Sequence, residues 1–174
     1  MFVDLDRFFY GLTTILYCPS ANHELLIKAR QLRQMAQDQL QRLPCDATVS
    51  KKEKMYGNEL DKAVNYSNSD KSEIKIVVKK SIWLHGYEAD LVLLLSNASG
   101  GSIQVLNIEI DGPSHYHPRT RRFSYWRDKY LSEEAGVVVE RIDIMNSSNE
   151  SVRQQLEHIV KMAKERAKRT KYEG

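Results

Sequence analysis

Three stretches dense in β-branched and aliphatic residues stand close together in the middle of this chain: EIKIVVKK (73–80), YEADLVLLLS (87–96) and SIQVLNIEID (102–111). Runs of that length, bounded by Gly, Asn and Ser, form strands. NASGG between the last two is a hairpin signal, so that pair is antiparallel. Beyond residue 118 the period changes. RTRRFSYWRDKYLSEEAG places Phe123, Trp126 and Tyr130 on one side of a helix that Gly136 stops. A fourth strand, VVVERIDI (137–144), follows. Strand, helix and strand in succession predict a right-handed parallel crossover beside the hairpin. The expected fold is therefore α/β, a mixed sheet with helices on both faces.

The flanks read as helices. Asn22 opens a pattern with Leu25, Leu26, Ala29, Leu32, Met35, Ala36 and Leu40 as its apolar stripe, and Pro44 ends it. Ser50 with Glu53, and Ser147 with Glu150, form capping boxes for two more helices. The second of these carries the stripe Val152, Leu156, Ile159, Val160, Ala163 and Ala167. Residues 1–17 are apolar and aromatic and predict a short packed element. With 174 residues, 41% hydrophobic and 28% charged, the chain reads as one globular domain over 1–174. Within it, 1–45 is an N-terminal helical extension and 147–174 a basic C-terminal helix.

A net charge of +3 says little, but its distribution says more. Residues 161–174 hold six Lys or Arg against two Glu; residues 117–130 hold Arg119, Arg121, Arg122, Arg127 and Lys129 against Asp128. Basic charge beside aromatics favours a polyanionic partner, nucleic acid above all. Arg119, Arg122, Trp126 and Lys129 share a helix side at this spacing. Phe123 and Trp126 fit the core better, leaving the arginines as the contacts. Cys18 and Cys45 make neither a metal spacing nor a disulfide framework, which suits a reducing compartment. The start, MFVDLDRF, is acidic where a secretory signal is basic, and no run approaches a membrane span. A soluble intracellular protein is expected, in a bacterial cytoplasm or a eukaryotic organelle alike.

The stretch NIEIDGPSHYHP (107–118) carries the chemistry. On the strand Leu106, Ile108 and Ile110 share one face; Val105, Asn107, Glu109 and Asp111 share the other. The hairpin brings Asp90 near Glu109, and one residue of register decides whether they share a face. If they do, three carboxylates meet within about 5 Å. Each like-charge pair then costs on the order of 3 kcal/mol at an effective dielectric near 20. A cation, a basic side chain or a shared proton must offset that cost. Mg²⁺ or Mn²⁺ suits Asp90, Glu109 and Asp111, because hard cations take oxygen ligands. His115, past the Gly112–Pro113 corner, stands where it can ligate a metal, act as acid or base, or touch a phosphate. His117 reads as a surface residue. The plainer alternative is an amphipathic strand with a wet end.

IEIDGPSHY followed by RDKYLSEEAGVVVERI resembles the RAP domain, a small module associated with RNA binding. Over residues 50–145 the chain is also similar to the restriction-endonuclease-like, PD-(D/E)xK-type superfamily, which includes very-short-patch repair nucleases. That superfamily's common core is helix, three strands, helix, strand. The resemblance implies Asp90 as the acid of the second strand and Glu109 as the metal-binding acid of the next. Asp111 stands where many of these nucleases place a catalytic lysine; several small relatives instead show Glu-x-Asp followed by a histidine, as Glu109, Asp111 and His115 do. It further implies a helix glutamate, with Glu59 or Glu53 as candidates.

Three functions follow: an RNA-binding module that prefers RNA to DNA and has no membrane partner, a Mg²⁺- or Mn²⁺-dependent endonuclease, or a scaffold docking through its flanking helices. The scaffold gains if the stripes of the helices at 23–42 and 150–167 are exposed. The sequence leaves the oligomeric state open.

Overall fold

The computed structural model describes residues 5–40, 51–69 and 73–173; the side chains of residues 5, 6, 114, 115, 119 and 171–173 lie outside that description. At its centre is an open sheet of four strands in sequence order: β1 (Lys75–Leu84), β2 (Tyr87–Ser96), β3 (Ser102–Asp111) and β4 (Val137–Asp143). β1–β2 and β2–β3 pair antiparallel; β4 runs parallel to β3. The long α4 (Pro118–Glu133) makes the crossover. The mixed α/β sheet read from the sequence is present.

Turn chemistry explains both hairpins. β1 runs to Leu84, four residues past the predicted end, because His85 and Gly86 close a two-residue turn. Their φ angles of 51° and 87° are both left-handed, as a type I′ turn requires. Only glycine fits the second position, since a Cβ on Gly86 would lie 2.3 Å from the Phe9 ring. In the second hairpin the Gly101 N–H donates to Asn97 Oδ1 at 2.7 Å, and Gly100 takes a φ of 85°.

Helices cover both sheet faces. α3 (Lys51–Asn68) and α5 (Asn149–Glu173) pack Tyr56, Leu60, Val152 and Leu156 onto Leu91, Leu93, Leu106 and Ile108. On the other face α1 (Leu5–Leu16), α2 (His23–Leu40) and α4 enclose a second core of Phe9, Leu40, Leu84, Tyr87, Val92, Leu131 and Val137. The apolar stripe of α5 is buried as expected, with Ile159 partly so. Its cap lies one residue later than predicted: Ser148, not Ser147, accepts the Ser151 N–H at 3.1 Å. Ser50 lies outside the described residues. No described helix is long and apolar enough to cross a membrane.

α2 departs from the pattern. Asn22 caps it as read, accepting the Leu25 N–H at 2.8 Å. Yet its buried residues are Ala29, Arg33, Gln37 and Leu40, while Leu32 and Met35 stay 51% and 65% exposed. The cause is the His85 turn beneath it. Arg33 Nη2 and Gln37 Nε2 each donate to the His85 carbonyl at 3.0 Å, and the Arg33 guanidinium lies 3.5 Å from the Tyr130 ring centroid. The turn needs donors, so Arg33 and Gln37 join Ala29 and Leu40 on the docked face.

Candidate functional site

Parallel strands and the helix joining them leave a crevice beyond the strands' carboxyl ends, a common place for a ligand in such sheets. Here the acids read from the sequence gather. The β3–β4 register sets Glu109 beside Arg141 and Asp111 beside Asp143. α4 lays Arg127 and Asp128 over them, and the result is a chain of ion pairs. Asn107 Nδ2 donates to Glu109 Oε1 at 2.6 Å, and Arg127 Nη2 to Glu109 Oε2 at 2.7 Å. Arg127 Nε donates to Asp128 at 3.3 Å. Arg141 bridges Asp128, at 2.8 Å, and Asp111, at 2.5 Å. Burial alone would lower the pKa of both arginines, but the carboxylates around them outweigh it and raise both. Glu109 is 2% exposed and is paired with Arg127.

Asp90 is handled differently. The β2–β3 ladder ends at Leu91 and Ile108, so Asp90 continues the register opposite Glu109 but leaves the ladder. Its Oδ2 accepts the Ile110 N–H at 3.1 Å, a bond that the strand would otherwise supply. On the β1 side Ser81, its would-be partner, is unpaired and left-handed with φ 48°. Side chains change faces at this point: Val78 and Leu91 pack toward α3 and α5, whereas Ile82 and Ala89 pack into the opposite core. Burial, and then the charge of Glu109, raise the Asp90 carboxyl to about 7 against the Ile110 hydrogen bond and Arg127. Glu53 on α3 adds to the rise.

Outside the network lies a cleft of about 390 Å³, lined by Asp111, Tyr116, Arg121, Tyr125, Arg141 and Asp143 among others. Asp143 ends β4 and is held there by Asn146, whose Nδ2 donates to its Oδ2 at 2.7 Å. Arg121 and Arg122 are exposed in the opening turns of α4, where the positive end of the helix dipole also points.

The remaining expected residues separate. Arg127 turns inward with a side chain only 17% exposed, so its cation serves Glu109. Lys129 lies over Tyr17, 4.6 Å from the ring centroid, and 4.0 Å from Glu133. Trp126 and Phe123 pack against Tyr17 and Tyr10 of the α1 region. His115 sits in the short 3-10 turn Pro113–Tyr116 and Arg119 in the first turn of α4. Their side chains lie outside the described residues. Of the two helix glutamates, Glu53 acts on Asp90, while Glu59 pairs with Lys62 at 2.7 Å on the α3 surface. Arg141 and Asn107 were not singled out from sequence. Arg141 lies 30 residues from Asp111, and only the parallel register brings them together.

As arranged, this donor set does not fit a divalent cation. Both Glu109 oxygens and one Asp111 oxygen already accept hydrogen bonds. An ion about 4 Å from the Arg127 guanidinium would be repelled by roughly 8 kcal/mol at an effective dielectric of 20. Among the described residues, no group of three or more His, Cys, Asp or Glu side chains converges to hold a metal. No family model, curated protein or solved structure matches this chain.

Proposed function

We propose that this chain is a RAP-domain-like RNA-binding module on a restriction-endonuclease-like framework, whose acidic constellation braces the fold. The observation that carries this reading is the capture of Glu109 by Arg127 and of Asp111 by Arg141. On the resemblance, these are the acids that would hold Mg²⁺ or Mn²⁺ in an endonuclease, and here each is paired with a guanidinium group. The order helix, three antiparallel strands, crossover helix and parallel strand supports the framework. Fold alone gives no function, so the surface has to supply it. Exposed Arg121, beside the cleft, and exposed Arg122, both near the positive end of α4, suit phosphates. The preference for RNA rests on the RAP resemblance.

The test incubates labelled single-stranded RNA and duplex DNA with Mn²⁺ or EDTA, beside Asp111→Asn, on denaturing gels. The expected result is intact nucleic acid in every lane. In parallel binding assays RNA is retained, and Arg121→Ala with Arg122→Ala lowers the salt slope of binding by about 1.4. Mn²⁺-dependent cleavage that Asp111→Asn abolishes would overturn the noncatalytic reading.

That outcome would favour the second reading, a Mg²⁺- or Mn²⁺-dependent endonuclease. One observation speaks for it: the half-buried Asp90 carboxyl, raised to about 7 beside a second acid, is of a kind found at functional sites. This reading requires Arg127 to leave Glu109 when the substrate and ion arrive. The scaffold reading draws on the exposed Leu25, Leu32 and Met35 of α2.

A further inference from the structure

We infer that the groove between α3 and α5, on the sheet face opposite α4, is a second contact surface for single-stranded nucleic acid. Tyr66 is its stacking platform, and Lys161 and Lys168 are its phosphate contacts. The inference rests on the RNA-binding reading and extends it to a surface that the α4 arginines do not reach.

The groove encloses about 890 Å³. Tyr66, in the last turn of α3, is 84% exposed, so its ring contributes almost nothing to the core. On α5, Lys161 and Lys168 are seven residues apart, two turns along one side of the helix and about 10 Å along its axis. Both are exposed, and among the described residues neither forms an ion pair. Between them Lys164 is buried, and its ammonium donates to the Ser67 carbonyl at the end of α3. That bond ties the two walls together and holds Tyr66 beside the lysine row. Most of the acids in the groove are engaged: Glu59 by Lys62 at 2.7 Å, and Glu157 by Arg153 at 3.9 Å. The unneutralised charge is therefore mainly positive.

An exposed ring beside spaced cations in a groove is the combination that single-stranded nucleic acid recruits, since each base offers a face to stack and each phosphate a charge. Duplex nucleic acid keeps its bases stacked and leaves the ring idle. A lipid surface would need an apolar stripe, and that of α5 is already spent on the core: Val152, Leu156, Val160, Ala163 and Ala167 are all buried.

The experiment is fluorescence anisotropy of a short labelled oligouridylate titrated with the full chain across a salt series. The variants are Tyr66→Ala, Tyr66→Phe, the pair Lys161→Gln with Lys168→Gln, and the pair Arg121→Ala with Arg122→Ala. All these positions are exposed, so thermal melts followed by circular dichroism should match the parent. Tyr66→Ala should weaken binding about tenfold and Tyr66→Phe should restore it. The lysine pair should lower the salt slope by about 1.4. Affinity and slope unchanged in the groove variants, with loss confined to the arginine pair, would overturn this inference and leave the RNA-binding reading standing. Binding by none of the proteins would overturn both. Loss in the lysine pair alone, with Tyr66→Ala unaffected and phosphatidylserine vesicles or polyglutamate competing equally well, would assign the groove to another polyanion.

Discussion

Glu109 shows what a buried charge demands of its neighbours. It is 2% exposed, yet both oxygens are satisfied, one by Asn107 and one by Arg127. Glu109→Gln keeps the shape and removes the nearer countercharge, leaving a mostly buried guanidinium with only the longer contact to Asp128. Breaking a buried pair from one side typically costs about 3–5 kcal/mol. Urea unfolding should show a loss of that order, partly recovered when Arg127→Gln is added; stability equal to the parent would mean that the pair braces nothing. Asp90 makes the opposite case, because its carboxyl is raised from the ordinary 3.8 to about 7. The folded state therefore holds a proton that the unfolded state releases. The contribution of Asp90 to stability is complete below pH 4 and fades as pH rises through 7. Comparing unfolding free energies across that window, Asp90→Asn should remove this fall with pH. A variant that follows the parent's curve would place the proton elsewhere.

At the scale of elements, α2 is the informative case. Of the apolar stripe read from its period, Ala29, Ala36 and Leu40 do face the core, but Leu25, Leu32 and Met35 are exposed while Arg33 and Gln37 take buried places. Periodicity reports where apolar residues are, while the docked face depends on what the neighbour offers, here a carbonyl at His85. Arg33 fills that need from a position 1% exposed. Arg33→Met should cost about 3 kcal/mol, because the carbonyl loses a donor and Tyr130 a stacked cation. Leu32→Gln and Met35→Gln should shift stability by no more than about 0.5 kcal/mol. Thermal melts of the three variants check the contrast, and a large loss in the Leu32 or Met35 variant would return those side chains to the core. The strands and α5 were more legible. Their apolar residues face a sheet or helix that is itself apolar, so pattern and packing agree.

For the whole molecule, one sheet serves two cores, and α1 and α2 close the second of them through Phe9 and Leu40. Residues that looked like an extension thus finish the core beneath α4, and Phe9 packs on the turn that only Gly86 permits. The order of strands and helices, the acids at the end of β3, and the basic composition of α4 and α5 could be read from the chain, because they depend on local periods and turn residues. The partners of the acids could not. Whether a carboxylate meets a metal, a guanidinium or a proton is decided by register and by which helix lies above. Those contacts span 18 residues between Arg127 and Glu109 and 30 between Arg141 and Asp111. The sequence by itself determined the elements and the chemistry each one carries. Only the tertiary structure decided which charges neutralise each other and which, such as Arg121 beside the cleft and Lys161 in the groove, are left facing outward. Pairing energy falls off within a few ångströms, and no spacing along the chain fixes a distance that short.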